Sequence, residues 1–239
     1  MSAQLPLQLS HSIRYSSLDF LEHAGVSEVV ATVLAIAAHK RKFSLIYLQG
    51  EKLSGKTHTG VYIVGRVQEL ARNARLLRGP DLGEWFVDEL PTNPFKACEL
   101  CVIDDADIFL ENAQSRGQAG LFVDIVERLA HANGTLVLLG TITPDKIATS
   151  SQAQSRIGAG MHLVLGNPVE ADLNQLLHMI TKQRGLKLTE GKRSYILRRV
   201  PRVIPALVEC IERLEEGNDF TEASTSFHLL SEALTLERV

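Results

Sequence analysis

The pattern of hydrophobic and polar positions changes period several times along the first two thirds of the chain. Runs of consecutive apolar or β-forming residues, typical of buried strands, cover 43–49, 75–77, 100–104 and 135–140. Helical periodicity covers 27–39, 55–72 and 118–132, and Ser27 is the predicted N-cap of the first helix. Because strands alternate with helices, the pattern predicts a parallel α/β sheet with helices on both faces.

The pattern changes again after Gly166-Asn167-Pro168, where strand-like runs stop. Helical patterns then cover 170–183, 191–199, 203–216 and 225–236. Before about residue 16 the chain has little periodicity, and Pro6 favours an extended conformation. We therefore predict an extended tail over 1–15, an α/β subdomain over 16–167 and a small all-helical subdomain over 168–239.

The composition is that of a globular protein, since 45% of the 239 residues are hydrophobic and 22% are charged. The longest uncharged apolar run, 29–38, is too short to cross a bilayer, and the N-terminus does not have the pattern of a secretory signal. Three cysteines are too few for a disulfide framework, and the pair Cys98 and Cys101 runs into a predicted buried strand. We expect a cytoplasmic protein without a membrane partner, and core thiols instead of zinc ligands.

The charge pattern argues against general nucleic-acid affinity. The formal net charge is −3, so any contact with DNA would be local. The strongest local bias is a basic stretch from Lys182 to Arg202. That stretch leaves two interpretations open: a weak or indirect DNA contact, or a positively charged lid over phosphates.

A complete phosphate-binding motif follows the strand predicted over 43–49. The residues Gly50-Glu51-Lys52-Leu53-Ser54-Gly55-Lys56-Thr57 fit the pattern G-x-x-x-x-G-K-[ST], with a strand before it and a helix after it. The backbone N–H groups of such a loop surround phosphates at a helix N-terminus. Lys56 is predicted to bridge the β- and γ-phosphates of a nucleotide, and the Thr57 hydroxyl is predicted to hold Mg²⁺.

Two acids follow the predicted strand over 100–104, in the arrangement called Walker B. Asp104 is predicted to belong to the Mg²⁺ shell, and Asp105 is predicted to orient or polarise the attacking water. A third strand is expected to lie between the strand before the phosphate motif and the strand before the two acids. A polar group near the γ-phosphate is expected at its end, and Thr141 is preferred there to Thr143.

These motifs together resemble a known family. The loop Gly50 to His58, the pair Asp104-Asp105, Ser155-Arg156 followed by Gly160, and the helical C-terminal segment resemble the DnaA branch of the AAA+ ATPases. In that branch a histidine directly after the Lys-Thr pair, here His58, is typical. Within it the chain is similar to the Hda group of small DnaA homologues. That group keeps the AAA+ module, lacks the helix-turn-helix domain that reads DNA, and promotes hydrolysis of DnaA-bound ATP.

The resemblance implies a P-loop NTPase fold and several roles. Arg156 would be the arginine finger that reaches a neighbouring subunit's nucleotide. Arg202 would be the sensor 2 arginine that contacts the chain's own nucleotide. The tail resembles a peptide that docks on the DNA polymerase sliding clamp, with contacts from Gln4, Leu5, Leu7 and Leu9.

Three positions depart from the family pattern. Ile157-Gly158-Ala159-Gly160 stands where the family usually has a Trp close after the finger arginine. Thr141 stands where the family usually has Ser or Asp. Pro205 falls inside a predicted lid helix, where only the first turn tolerates proline.

Two functions are therefore expected. In the first, a regulatory protein with bound ADP or ATP and Mg²⁺, and with slow turnover of its own, docks on the sliding clamp. It stimulates hydrolysis of DnaA-bound ATP and so inhibits re-initiation of replication. In the second, an autonomous ATPase acts as a helicase loader or a DnaA-like factor on DNA.

The clamp-like peptide favours the first, whereas intact Lys56, Asp104 and Asp105 keep the second open. A homodimer is compatible with both, and a small-molecule kinase is disfavoured because no acceptor site is evident.

Overall fold

The computed structural model describes residues 20–39, 42–82 and 97–216. A five-stranded sheet lies at its centre, with every neighbouring pair of strands parallel. The strands are β1 (Ser44–Gln49), β2 (Ala74–Arg78), β3 (Leu100–Asp104), β4 (Thr135–Gly140) and β5 (Met161–Val164). Their order across the sheet is β2-β3-β4-β1-β5, so β4 lies between the strand before the phosphate motif and the strand before the two acids.

Eight α-helices lie among the described residues. They are α1 (Ala24–Ala38), α2 (Lys56–Glu69), α3 (Ala106–Ser115), α4 (Gly120–His131), α5 (Ser151–Gly158), α6 (Glu170–Gln183), α7 (Glu190–Leu197) and α8 (Ile204–Glu216). Two short 3₁₀ turns, Gly79–Asp81 and Pro144–Lys146, follow β2 and β4. Pro205 is the second residue of α8 and therefore lies in the first turn, where proline is tolerated.

The predicted N-cap of the first helix is wrong. Helix α1 begins at Ala24, and its N-cap is His23, whose Nδ1 accepts a hydrogen bond from the Gly25 N–H at 3.1 Å. An imidazole nitrogen can satisfy a free N–H of the first turn as a hydroxyl does. Ser27 lies inside the helix, and its hydroxyl donates to the Ala24 carbonyl at 3.4 Å.

Three elements had no clear pattern in the sequence: α3, α5 and β5. Strand β5 is an edge strand, and two of its apolar side chains, Met161 and Val164, are 44% and 59% exposed. A strand that is not buried on both faces does not produce a continuous apolar run. The central strands β1, β3 and β4 are buried, and all three were predicted.

The sheet is covered on both faces, as predicted. One face packs against α3, α4 and α5 through side chains such as Phe109, Phe122 and Ile157. The other packs against α1 and α2 through side chains such as Val33 and Ile63. Successive residues of β1 alternate between the two cores because successive side chains of a strand point to opposite faces.

The helices α6, α7 and α8 have a hydrophobic core of their own. Leu177, Ile196, Leu207 and Ile211 are fully buried in it. All members of this cluster lie between residues 173 and 214. The predicted fold class, a parallel α/β sheet followed by a small helical subdomain, is confirmed.

A close backbone approach joins the start of α1 to the segment that leads into α6. The Gly166 N–H donates to the Gly25 carbonyl at 2.8 Å. A Cβ at Gly25 would lie 2.4 Å from the Asn167 carbonyl oxygen, so only glycine fits there. This contact fixes the N-terminus of α1 beside the helical subdomain.

The cysteines Cys98, Cys101 and Cys210 are buried free thiols, as expected of core residues. Across residues 20–39, 42–82 and 97–216, no helix has the length and apolarity that a membrane span requires. The predicted tail with Gln4, Leu5, Leu7 and Leu9 and the helix predicted over 225–236 lie outside the described residues.

A truncation inside the helical core should destabilise that core selectively. We expect Leu207→Ala, at a fully buried position, to lower the free energy of unfolding of α6–α8 by about 2 to 5 kcal/mol, because it leaves a cavity. Hydrogen exchange should show lost protection in these helices and retained protection in β1, β3 and β4. The control Leu70→Ala, at a side chain that is 68% exposed, should change stability by less than about 0.5 kcal/mol. Equal loss of protection in the sheet would show that the helical core is not independent.

Candidate functional site

A cavity of about 230 Å³ lies at the carboxyl ends of β1, β3 and β4, between the sheet and helices α6 and α8. Its polar wall is formed by the phosphate motif, the start of α2 and the loops after β3 and β4: Lys52, Leu53, Ser54, Gly55, Lys56, Thr57, His58, Thr59, Asp105 and Thr141. Its other wall is mostly apolar: Phe20, Leu21, His23, Val26, Leu176, Met179, Ile180, Gln183, Arg184, Ile204 and Val208. Most of the predicted phosphate and metal residues therefore meet at one site.

The phosphate motif forms a tight loop around a buried lysine. Lys56 is 8% exposed, and its Nζ donates to the carbonyl oxygens of Gly50 and Glu51, both at 2.8 Å. Two residues of the loop have left-handed backbone conformations, Leu53 with φ 62° and Gly55 with φ 91°. These turns hold the loop around the lysine ammonium.

The loop is shaped for a ligand with phosphate groups. A Cβ at Gly50 would lie 2.5 Å from Ser54 Oγ and 3.0 Å from Lys56 Cγ, so glycine is required. Ser54 Oγ is buried and has no hydrogen-bond partner within the part of the chain that the structure describes. A buried hydroxyl without a partner is costly unless a ligand satisfies it. The loop residues therefore fit a nucleotide's phosphates.

The predicted metal ligands are in contact. Thr57 Oγ1 donates to Asp104 Oδ2 at 2.7 Å, and Asp104 is 6% exposed. A hydroxyl and a carboxylate at the same point are the oxygen donors that Mg²⁺ prefers. These two side chains, with phosphate oxygens, fit a Mg²⁺ shell.

Asp105 is placed differently from Asp104. It precedes α3 in a left-handed conformation with φ 51°, and it lines the cavity. Burial raises the pKa of Asp105, neighbouring Asp104 and Asp107 raise it further, and Lys56 opposes the shift. A carboxylate with a raised pKa is a stronger base, which suits the predicted role of polarising water.

The charge of Lys56 is subject to opposing effects. Burial lowers its pKa, whereas the carboxylates of Asp107, Asp104 and Asp105 raise it. Burial is the larger effect, so the pKa of Lys56 is lowered overall. The hydrogen bonds to the Gly50 and Glu51 carbonyls hold the ammonium within the phosphate loop.

Asp107 is a site residue that the sequence analysis missed. Its side chain is 5% exposed, and its Oδ2 accepts from the backbone N–H groups of Thr141, at 2.7 Å, and Ile142, at 3.2 Å. It therefore fixes the loop after β4, where Thr141 lines the cavity and Thr143 does not. Asp107 is visible in the sequence two residues after Asp105. Its contact with the loop after β4 arises only because β4 lies beside β3 in the sheet, which no local pattern shows.

The two predicted arginines lie outside the cavity lining. Arg156 is on α5, and its Nη2 is 3.3 Å from Glu127 Oε1. Arg202 precedes α8, is 56% exposed, and its Nη1 is 2.7 Å from Glu170 Oε1.

Among the described residues, the arginine that lines the cavity is Arg184, which was not predicted as a site residue. It is 10% exposed at the end of α6, and its guanidinium binds Glu212 at 3.0 Å and Glu215 at 2.6 Å. Burial lowers its pKa, but the hydrogen bonds and charges of the two glutamates outweigh burial and raise the pKa overall. Its partners lie on α8, so no local pattern reveals them.

The basic stretch is divided by these contacts. Arg184 and Arg202 are paired with acids, whereas Arg198 and Arg199 are exposed. The guanidinium carbon of Arg199 lies 3.7 Å from the centre of the Tyr195 ring. Within the stretch, acid-paired arginines are therefore distinct from exposed ones.

The apolar wall was also missed. Phe20 stacks on Tyr62, with ring centroids 4.3 Å apart, and lies at one side of the cavity. Leu176, Ile180 and Ile204 come from the helical subdomain. These residues come from three distant segments, and together they form a surface suited to a flat aromatic base.

No protein-family model matches the chain, and no curated protein matches its sequence. Solved structures do match. Domain III of the Thermotoga maritima replication initiation protein DnaA has a TM-score of 0.70 at 18% identity, over 92% of this chain and 95% of that domain. A replication initiator DnaA bound to AMPPCP and single-stranded DNA has a TM-score of 0.63 at 17% identity, over 85% of this chain. A single-residue variant of Thermotoga maritima RuvB has a TM-score of 0.61 at 16% identity, over 94% of this chain and 72% of that RuvB chain.

These matches show the fold. The chain has the AAA+ P-loop NTPase fold that the motifs predicted. It spans 65% of the length of the DnaA chain that is bound to AMPPCP and single-stranded DNA, which is less than two thirds.

Removing the Asp107 carboxylate should destabilise the protein. We expect Asp107→Ala to lower the free energy of unfolding by about 2 kcal/mol, since two part-buried backbone N–H groups lose their charged acceptor. Asp107→Asn keeps an acceptor oxygen and should recover part of the loss. Urea unfolding of both variants measures this, with Asp124→Ala, at an exposed position, as the control. A loss no larger than that of the control would contradict the role of Asp107.

His23 should make stability depend on pH. Burial lowers the pKa of His23, and Asp172 only partly opposes the shift. Protons therefore bind the unfolded chain more readily, so stability should be lost as the pH falls below about 6.5. We expect the wild type to lose more unfolding free energy than His23→Asn between about pH 7.5 and 5.5. Parallel pH profiles for the two proteins would refute this expectation.

Proposed function

We propose that this chain is a DnaA-type AAA+ protein that binds an adenine nucleotide and regulates the initiation of DNA replication. The observation that carries the proposal is the joint cavity: Lys56 and the contact between Thr57 and Asp104 form one end, and an apolar wall from the helical subdomain forms the other. A ligand with a phosphate chain at one end and an aromatic base at the other fits both walls. The AMPPCP in a DnaA of the same fold supports an adenine nucleotide.

Different residues of the cavity bind the phosphates, the Mg²⁺ ion and the attacking water. The loop amides and Lys56 hold the phosphates, and Thr57 and Asp104 hold Mg²⁺, which neutralises phosphate charge when it is bound. His58 and the loop Gly50, Ser54 and Gly55 complete the phosphate end. Asp105 orients water, and Asp107 holds the Thr141 loop beside it.

The positions of the arginines support slow turnover of the chain's own nucleotide. In the described residues, Arg184 is the arginine that lines the cavity, and it is engaged by Glu212 and Glu215. An arginine that stabilises charge on a transferring phosphate contributes a large part of the rate in this class of reaction. A site whose arginine is already paired with glutamates is suited to binding nucleotide and hydrolysing it slowly.

The position of Arg156 supports action on a neighbouring molecule. It lies on α5 outside the lining of the chain's own cavity, with its side chain 33% exposed and its acidic partner, Glu127, more exposed still. An exposed ion pair of this kind is weak and exchanges readily. We propose that Arg156 is supplied to ATP bound by DnaA, while Gln4, Leu5, Leu7 and Leu9 attach the chain to the sliding clamp.

The alternative is an autonomous ATPase that acts on DNA as a helicase loader or a DnaA-like factor. Intact Lys56, Asp104 and Asp105 favour it. The exposed pair Arg198 and Arg199, with Arg199 stacked on Tyr195, is suited to contact a nucleic-acid backbone. The single-stranded DNA in a DnaA of the same fold also supports this alternative.

Single-turnover hydrolysis distinguishes the two functions. Labelled ATP is bound to DnaA, the sliding clamp is loaded on DNA, and the chain is added. We expect the wild type to accelerate hydrolysis by about tenfold or more, because Arg156 supplies charge to the transition state. Arg156→Ala and Gln4→Ala should each abolish the acceleration. Arg213→Ala serves as a matched control, since Arg213 is a surface arginine paired with Glu209 within α8.

No acceleration by the wild type would discard the adaptor function. Rapid hydrolysis by the chain alone, abolished by Lys56→Ala, would then favour the autonomous ATPase.

A further inference from the structure

Besides Gln183 and Arg184, the mostly apolar wall of the cavity holds a third polar side chain, His23, and the fold uses only half of its hydrogen-bonding capacity. His23 is 4% exposed and lines the cavity. Its Nδ1 caps α1 by accepting from the Gly25 N–H at 3.1 Å. Within the part of the chain that the structure describes, no group accepts a hydrogen bond from its other ring nitrogen, Nε2.

The cap determines the state of the ring. A nitrogen that accepts a hydrogen bond carries a lone pair, so the proton of a neutral imidazole must be on the other nitrogen. Burial favours the neutral form of His23 because it lowers the pKa, and Asp172 only partly opposes this. His23 is therefore a neutral ring with an N–H group at Nε2.

The surroundings make this donor distinctive. The wall that contains His23 also contains the apolar side chains Leu21, Val26 and Ile204. His23 lines the cavity and the described residues offer its Nε2 no acceptor, so an acceptor on a ligand in the cavity can complete its hydrogen bonding. The phosphate end of the cavity is formed by other residues, so the part of the ligand that meets His23 is the base.

We propose that His23 Nε2 donates a hydrogen bond to a ring nitrogen of the purine base, and that His23 thereby contributes to base specificity. The inference rests on the proposed nucleotide binding. A single donor recognises a nitrogen with a free lone pair and rejects a position that carries hydrogen, such as C–H or a protonated ring nitrogen. The capping hydrogen bond at Nδ1 thus orients the imidazole so that Nε2 can donate to the ligand.

Deaza analogues of ADP test the contact. Dissociation constants are measured by calorimetry with Mg²⁺ for ADP and for 1-deaza-, 3-deaza- and 7-deaza-ADP, in which one ring nitrogen is replaced by C–H. We expect one analogue to bind the wild type about tenfold more weakly than ADP does. His23→Ser keeps a capping oxygen but is too short to reach the base. It should bind ADP about tenfold more weakly and should not distinguish that analogue from ADP.

A measurement on the wild type makes the test independent of the variant's folding. ¹⁵N NMR of the histidine side chains should show His23 with its proton on Nε2, and exchange of this proton with water should slow when ADP is added.

The outcomes separate the two proposals. If ADP binds but no analogue is discriminated, or if His23→Ser discriminates the analogues as the wild type does, the role of His23 is refuted and nucleotide binding stands. A proton on Nδ1 would also refute the role of His23. If ADP does not bind the wild type, the proposed function fails as well.

Discussion

The parallel register of three central strands is the constraint on which the site depends. Strand β4 pairs with β1 so that Gly140 lies opposite Gln49, and β3 pairs with β4 so that Ile103 lies opposite Leu138. Because parallel strands end at the same edge, the phosphate loop, the two acids and the Thr141 loop are brought into one row. These strands are buried on both faces, so a shift of one residue would move each side chain into the opposite core, where it does not fit, and is disfavoured.

The charges at this edge depend on one another. Lys56 is buried against the carbonyls of its own loop, and three nearby carboxylates oppose the lowering of its pKa that burial causes. Asp104 is in contact with Thr57, and Asp107 is satisfied by backbone N–H groups beyond β4. Of the three acids, Asp105 is the one that lines the cavity. A preorganised arrangement of this kind needs little rearrangement when a nucleotide binds.

Local motifs were predictable from the sequence, and long-range contacts were not. The phosphate loop, Asp104 and Asp105 follow buried strands that read clearly as apolar runs. Arg184 depends on glutamates of α8, and the apolar wall gathers residues from three segments, so neither has a local pattern. The family resemblance suggested Arg202 for the chain's own nucleotide, yet the structure pairs it with Glu170 and places Arg184 at the cavity.

The central claim is that one adenine nucleotide is bound by the phosphate loop and by the helical subdomain together. Hydrogen exchange with and without Mg²⁺-ADP tests it most directly. We expect slower exchange at residues 50–59 and also in α6 and α8, whose side chains form the apolar wall. Slower exchange confined to the phosphate loop would contradict the claim, since the helical subdomain would then have no part in binding.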